Sequence, residues 1–114
     1  MIGKRCLPRA KRRLPIRYGT DELQHAGYTV DLSRDGLCIA ATTAYRCGVL
    51  LHVQITTRDG TNVRLCCEVR WAKKMPVQAG TVKSGMGLRI ISITQGHEIY
   101  ESLCPPQARL ENQL

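Results

Sequence analysis

Two groups of polar residues in the first third of the chain have the types and spacing to bind an anion. The first is a basic run before Asp21, which holds seven of the 17 lysines and arginines: Lys4, Arg5, Arg9, Lys11, Arg12, Arg13 and Arg17. The second is Asp31-Leu32-Ser33-Arg34-Asp35-Gly36, in which a carboxylate and a hydroxyl precede a glycine. The net charge of +8 comes almost entirely from the first group, because the ten other basic residues face nine acidic ones. Such asymmetry is typical of a segment with an anionic partner, or of a merely solvated tail.

The second group is predicted to lie where one strand turns into the next. Alternation along a strand places Thr29, Asp31 and Ser33 on one polar face and Tyr28, Val30 and Leu32 on the other. Asp35-Gly36 predicts a tight hairpin, since glycine adopts a positive φ without steric cost. The turn would then fix where the carboxylate and the hydroxyl are presented.

The apolar pattern predicts a mainly β fold. We expect strands over 14–18, 28–34, 37–42, 49–57, 63–71 and 85–93, a loop over 73–84 and a short helix within 94–104. Alternation is clearest in the fifth strand, where Val63, Leu65, Cys67, Val69 and Trp71 share one face. Asp59-Gly60 predicts a second hairpin. Six strands and one helix favour a six-stranded antiparallel β-barrel packed against a C-terminal α-helix. The predicted organisation is a flexible basic arm over 1–12, the barrel with its helix over 13–104 and a tail over 105–114.

Length and composition limit the class of protein. The 114 residues suffice for one domain with its own core. No apolar run reaches the roughly 20 residues that span a bilayer, so we expect no membrane span. Six cysteines without CxxC spacing indicate reduced thiols rather than a disulfide framework or metal site, and hence a cytoplasmic protein.

Both polar groups resemble the motifs of a known family. Arg5-Cys6-Leu7-Pro8-Arg9 reads RxxxR and Asp31-Leu32-Ser33-Arg34-Asp35-Gly36 reads DxSxxG. In this order they resemble the two motifs of the PilZ domain, a bacterial receptor for the second messenger cyclic di-GMP. Glu68-Val69-Arg70-Trp71 and Gly85-Met86-Gly87-Leu88-Arg89 are similar to late strands of that family, and the resemblance covers residues 4–103.

The resemblance implies a set of ligand-binding residues. The first candidates are Arg5, Arg9, Asp31, Ser33 and Gly36, and further candidates are Lys4, Arg13, Arg34 and Trp71. The arginine register stays open, because Arg9 to Arg13 and Arg13 to Arg17 also read RxxxR. Arg5 with Arg9 is preferred, since Pro8 precedes the second arginine as it often does in the family. The family often binds an intercalated dimer of the messenger, which implies more than one ligand per chain.

The residue chemistry agrees with this implied ligand. Arginine binds phosphate, the O6/N7 edge of guanine and purine faces. A carboxylate such as Asp31 accepts from guanine N1–H and the exocyclic amine, and Gly36 lets backbone approach the ligand closely. We therefore expect a loose arm that clamps cyclic di-GMP against the polar face.

Other functions are less well supported by the sequence. An enzyme is disfavoured, because the chain has no GxxxxGK[ST] loop and no Ser/His/Asp or Cys/His arrangement. A nucleic-acid-binding barrel would need several exposed aromatic side chains, and the chain has one tryptophan and four tyrosines. A third possibility is a PilZ-like interaction scaffold without nucleotide binding. The expected function is a cyclic di-GMP receptor that needs no cofactor or metal and acts through an effector protein in trans.

Overall fold

The strands and the helix follow one another along the chain with short connections. The computed structural model describes residues 8–76 and 82–106, so the candidates Lys4 and Arg5 lie outside the described residues. The strands are β1 (Ala10–Lys11), β2 (Pro15–Gly19), β3 (His25–Leu32), β4 (Gly36–Ala41), β5 (Leu50–Thr56), β6 (Asn62–Pro76) and β7 (Val82–Gln95). The helix α1 spans His97–Leu103.

The strands close into a barrel. Their order is β1-β3-β2-β5-β6-β7-β4, and an additional β3–β4 pairing joins the ends of the six long strands. All pairings are antiparallel. The predicted six-stranded antiparallel barrel with a C-terminal helix is confirmed, with β1 as an extra strand on the edge of β3.

The barrel interior is aliphatic, with two tyrosines as its largest side chains. β5 and β6 alternate as predicted up to Val69, so that their buried residues are Leu51, Val53, Ile55, Val63, Leu65, Cys67 and Val69. Tyr18 lies inside the barrel, and burial raises its pKa to about 12. Tyr100 from α1 is also buried and joins the helix to the same core. Since the chain contains no phenylalanine, these two rings supply the bulk that an aromatic core otherwise provides.

Several element boundaries differ from the predictions. Within the described residues the predicted loop over 73–84 is wrong, because β6 and β7 continue as a paired ribbon from Lys73↔Gly85 to Pro76↔Val82. Residues 77–81 of that predicted loop lie outside the described residues. β3 begins at His25, inside a predicted polar turn, because its first residue pairs with Tyr18 of β2. Cross-strand hydrogen bonds decide these ends, and local polarity does not reveal them.

Two of the four register shifts between paired strands are β-bulges that change which side chains of β3 and β6 face outward. In β3 the register passes from Thr29↔Ile39 to Asp31↔Cys38, so Val30 is an extra residue. The prediction that Thr29, Asp31 and Ser33 share a polar face is therefore wrong: Thr29 and Ser33 are buried and Asp31 is half-buried on the outside.

A similar irregularity in β6 lies between Val69↔Leu88 and Trp71↔Gly87 and leaves Arg70 as the extra residue. Trp71 then points outward and is 40% exposed, against the predicted inward face. Both bulges border the same outer surface of the barrel.

The end of the basic arm is fixed to the barrel. β1 pairs Ala10 with Leu32 and Lys11 with Asp31. The buried Thr29 hydroxyl accepts from Leu14 N at 2.9 Å and donates to the Arg12 carbonyl at 2.6 Å. Residues 10–12 thus differ from the predicted flexible arm over 1–12, because the edge of β3 and the Thr29 hydroxyl satisfy their backbone groups.

Within the described residues, α1 is too short and too polar to cross a membrane, and no other helix is present there.

Candidate ligand-binding cleft

An open cleft of about 400 Å³ lies on the outer barrel surface between β3, β4, β6 and β7. Its floor is the paired backbone of β4 and β7, which both bulges flank. Arg9, the second arginine of RxxxR, borders it together with the DxSxxG motif, a tryptophan and further arginines. The lining residues are Arg9, Asp31, Asp35, Gly36, Leu37, Cys38, Arg70, Trp71, Gly87, Leu88 and Arg89.

Arg9 connects the basic arm to the DxSxxG motif. Its Nε donates to Asp31 Oδ1 at 2.8 Å, and a terminal nitrogen donates to Ser33 Oγ at 3.2 Å. The pairing of Lys11 with Asp31 in β1 brings the arginine to this position. The Arg9 side chain is 43% exposed and that of Asp31 22%. A solvent-screened pair of this kind contributes about 0–1 kcal/mol, so an anionic or guanine ligand could replace either partner.

Ser33 is a buried part of the turn rather than a free polar group. Its backbone N–H donates to the Gly36 carbonyl at 2.8 Å, and its hydroxyl donates to Asp35 Oδ1 at 2.7 Å. The Tyr100 hydroxyl donates to the Ser33 carbonyl at 2.7 Å from the side of α1. Burial raises the pKa of Tyr100, which keeps this donor protonated. Ser33 therefore holds the turn and orients Arg9.

Gly36 does not serve the turn through a positive φ, so that prediction is wrong. Among the described glycines, positive φ occurs at Gly48, Gly60 and Gly96, and Gly60 confirms the hairpin predicted at Asp59-Gly60. Gly36 is the first residue of β4, where a Cβ atom would lie 2.4 Å from the Leu88 carbonyl oxygen. Glycine is needed there because β7 passes too close for a side chain.

Trp71 forms one wall of the cleft by resting on Gly87. A Cβ atom on Gly87 would lie 2.0 Å from Trp71 Nε1, so the indole occupies the space that a side chain would need. Lys73 Nζ lies 5.3 Å from the centroid of the same indole ring. An exposed indole seated on backbone is suited to stacking against a planar base.

The other arginine candidates lie elsewhere. The Arg13 guanidinium is 3.8 Å from the centroid of Tyr28, and Arg34 forms an ion pair with Glu101 of α1 at 3.3 Å. Arg17 donates to the Leu23 carbonyl at 3.1 Å. Within residues 8–76 and 82–106, Arg9 is the only arginine of the overlapping RxxxR registers that lines the cleft.

Seven of the eleven lining residues were not predicted as ligand-binding residues, and Arg70, Arg89 and Cys38 are the most relevant chemically. Arg70 is the bulged residue of β6, and Arg89 donates to Glu68 Oε1 at 2.8 Å. Arg70 and Arg89 lie within the two segments that resemble late strands of the family. The alternation of these strands does not distinguish them as ligand-binding residues. Cys38 faces Asp31 across β3 and β4, and burial followed by the Asp31 charge raises its thiol pKa.

The ionisable side chains that line the cleft are three arginines, two aspartates and one cysteine. In the described part of the chain, no three His, Cys, Asp or Glu side chains are grouped as metal ligands. The five described cysteines are free thiols. The fold and the cleft together define a small β-barrel whose outer cleft combines arginines, carboxylates and an exposed indole.

Comparison with known proteins identifies the family. The PilZ domain model matches residues 4–103, and the chain belongs to the PilZ domain family. Among solved structures, the Bacillus subtilis inhibitor of motility MotI/DgrA is similar at a TM-score of 0.72 with 17% sequence identity. The match covers 98% of this chain and 52% of that one, so this chain spans about half the length of that neighbour. The search of curated proteins found no match.

Proposed function

We propose that this protein is a cyclic di-GMP receptor that acts as an adaptor toward an effector protein. The observation that carries the proposal is the contact of Arg9 with both Asp31 and Ser33, beside an exposed Trp71 in one cleft. Family membership supports it, since PilZ domains are binding and adaptor modules for this messenger. The role is binding rather than catalysis, and we place it in the cytoplasm.

The cleft offers a complementary group for each part of the ligand. Arg9, Arg70 and Arg89 provide positive charge for two phosphodiesters, and guanidinium groups also bind the guanine O6/N7 edge. Trp71 offers a stacking surface for a purine face. Asp31 would accept from guanine N1–H and the exocyclic amine once Arg9 turns from the carboxylate to the ligand.

The ligand could replace the ion pair between Arg9 and Asp31 with contacts of its own to both side chains. In the structure each charge of the pair neutralises the other at 2.8 Å. A guanine nucleotide would supply a donor edge to Asp31 and an anion to Arg9 at the same time, so neither charge would be left unpaired. We propose that Arg5 and Lys4 add to this contact as the arm closes, and that the closed arm presents a new surface to the effector.

Calorimetric titration with cyclic di-GMP tests the proposal. Arg9→Ala and Asp31→Asn should each weaken binding at least about tenfold, because each removes a hydrogen bond to a charged group, worth about 1.5–3 kcal/mol. Arg17→Ala is the matched control, since this nearby arginine bonds the Leu23 carbonyl outside the cleft. Titrations with GTP and a short single-stranded oligonucleotide at two salt concentrations complete the design.

The outcomes separate the candidate functions. Saturable binding of cyclic di-GMP that survives Arg17→Ala and fails in the two cleft variants supports the receptor. Unchanged binding by Arg9→Ala and Asp31→Asn would disprove the site. Binding of the oligonucleotide alone, with steep salt dependence, would indicate a nucleic-acid-binding barrel.

A further inference from the structure

A second cleft lies on the barrel surface. Arg12, which follows β1, lines it, whereas Arg9, which precedes β1, lines the first cleft. Its volume is about 410 Å³. It is bounded by α1, by the turn between β5 and β6, and by the segment that joins the arm to β2. None of the residues that line it lines the first cleft. The two clefts are therefore separate surfaces of one small domain.

The floor of the second cleft is apolar. Leu14 is buried, and Ile99 and Leu103 of α1 are partly exposed while packing against the barrel core. Ile99 and Leu103 lie four residues apart, on one face of the helix. Burying an apolar side chain against such a floor is favourable, at roughly 25 cal/mol per Å² of area removed from water.

The rim of the second cleft carries two arginines with free hydrogen-bonding capacity. Arg12 donates from Nε to the Leu103 carbonyl at 2.6 Å, and no hydrogen bond from its terminal nitrogens is found in the described residues. Arg58 is exposed at the turn and has no hydrogen bond or ion pair to any described residue. The neighbouring Asp59 carboxylate is engaged in its own turn, where it accepts from Thr57 Oγ1 at 2.5 Å.

We propose that this second cleft is a docking site for a protein segment that presents an apolar side chain next to carboxylates. The apolar floor fits the first feature, and the donors of Arg12 and Arg58 that have no partner among residues 8–76 and 82–106 fit the second. The helix C-terminus alone would repel an anion, but Arg12 already covers its last carbonyl. Two arginines against the single carboxylate of Asp59 leave the lining of the cleft with a net positive charge, which favours an acidic partner over a basic one.

The arm connects this docking site to the first cleft, and this step rests on the proposed function. Arg9 lines the first cleft and Arg12 the second, with only the two residues of β1 between them. A nucleotide that draws Arg9 from Asp31 would change the pairing of β1 with β3, and with it the position of Arg12. Occupation of the first cleft should thus alter affinity at the second.

The test uses the full chain and two synthetic peptides of equal apolar content, acetyl-Glu-Leu-Leu-Glu-amide and acetyl-Lys-Leu-Leu-Lys-amide. Methyl resonances of Ile99 and Leu103 are followed by NMR during each titration. The acidic peptide should give saturable shifts, and the basic one should bind at least about threefold more weakly. Arg58→Ala should weaken the acidic peptide about two- to fivefold, the range of an exposed ion pair. Arg46→Ala, another exposed loop arginine outside both clefts, should leave it unchanged.

Several results would overturn the docking site. These are no saturable shift with the acidic peptide, equal affinity for both peptides, or no effect of Arg58→Ala. Concentration-dependent shifts of the same methyls without peptide would assign the cleft to a second copy of the chain. Peptide binding that appears only after deletion of residues 107–114 would assign it to the chain's own C-terminal segment.

A separate titration with cyclic di-GMP distinguishes failure of the docking site from failure of the proposed function. Trp71 fluorescence reports cyclic di-GMP binding in the same samples, without peptide. If Trp71 fluorescence does not change with cyclic di-GMP while the acidic peptide still binds, the result counts against the proposed function and not against the docking site. If Trp71 responds and peptide affinity stays within error, the coupling through β1 is refuted.

Discussion

Replacement of Gly87 by alanine tests whether the Trp71 wall of the first cleft depends on the absence of a side chain at position 87. A Cβ atom at this position would lie 2.0 Å from Trp71 Nε1, 2.4 Å from Cε2 and 2.7 Å from Cδ1. Ordinary non-bonded contact needs about 3.5–4.0 Å. The indole must therefore move by about 1.5 Å or more. Because β7 remains paired with β4 and β6, the barrel should keep its fold.

The expected loss follows from the stacking energy. Stacking of a base on an aromatic ring contributes about 1–3 kcal/mol, so displacing Trp71 should weaken cyclic di-GMP binding by about 5- to 150-fold. The effect should act through the indole alone. In a Trp71→Ala background, Gly87→Ala should change the affinity little, because the group it displaces is already gone.

Two measurements check this prediction. The chain has a single tryptophan, so intrinsic fluorescence reports the cleft directly, and Gly87→Ala should shift its emission to longer wavelength. Calorimetry of the four proteins in the cycle, wild type, both single variants and the double variant, gives the coupling. Unchanged emission and affinity in Gly87→Ala, or an equal loss with and without Trp71, would refute the reasoning.

Two further predictions concern the buried polar groups. Thr29→Val should lower the free energy of unfolding by about 1–3 kcal/mol, because the backbone groups of Leu14 and Arg12 lose their buried partner; urea denaturation measures this, and a loss no greater than for the exposed Thr42→Val would contradict it. Burial raises the pKa of Cys67 to about 12 from an ordinary value of 9.0, so the unfolded chain loses that proton first. The Cys67 contribution to stability is therefore complete below pH 9 and declines toward pH 12, by up to about 1.4 kcal/mol per pH unit. Urea midpoints under reducing conditions should fall less steeply above pH 9 in Cys67→Val, and an identical fall would disprove this origin.

The faces of β5 and β6 were predictable because one side of each strand is fully buried. Leu51, Val53 and Ile55 alternate with polar residues, as do Val63 and Leu65, and a slipped register would expose all of them. The same argument located the barrel, whereas the helix was predictable from the i, i+4 spacing of Ile99 and Leu103. Local sequence suffices where burial enforces a strict period of two.

The bulges were not predictable by the same argument. Val30 and Arg70 are ordinary strand residues, and their extra position arises from how the neighbouring strands pair. Each bulge reverses the alternation of the strand, so a strict period of two predicts the wrong face for Thr29 and for Trp71. The need for glycine at position 36 is not visible locally for a related reason. The carbonyl oxygen of Leu88, 52 positions further along the chain, leaves no space for a side chain there.

The hydrogen bond between Tyr100 and Ser33 means that the first cleft can be completed only late in synthesis of the chain. The two residues are separated by 67 positions, and Arg12 and Leu103 by 91. A chain growing on the ribosome presents the arginines and the DxSxxG motif early, but the buried donor that holds the turn emerges near the end of the described chain. Nascent or shortened chains would carry both motifs without a fixed turn, so ligand capture would report that folding is complete.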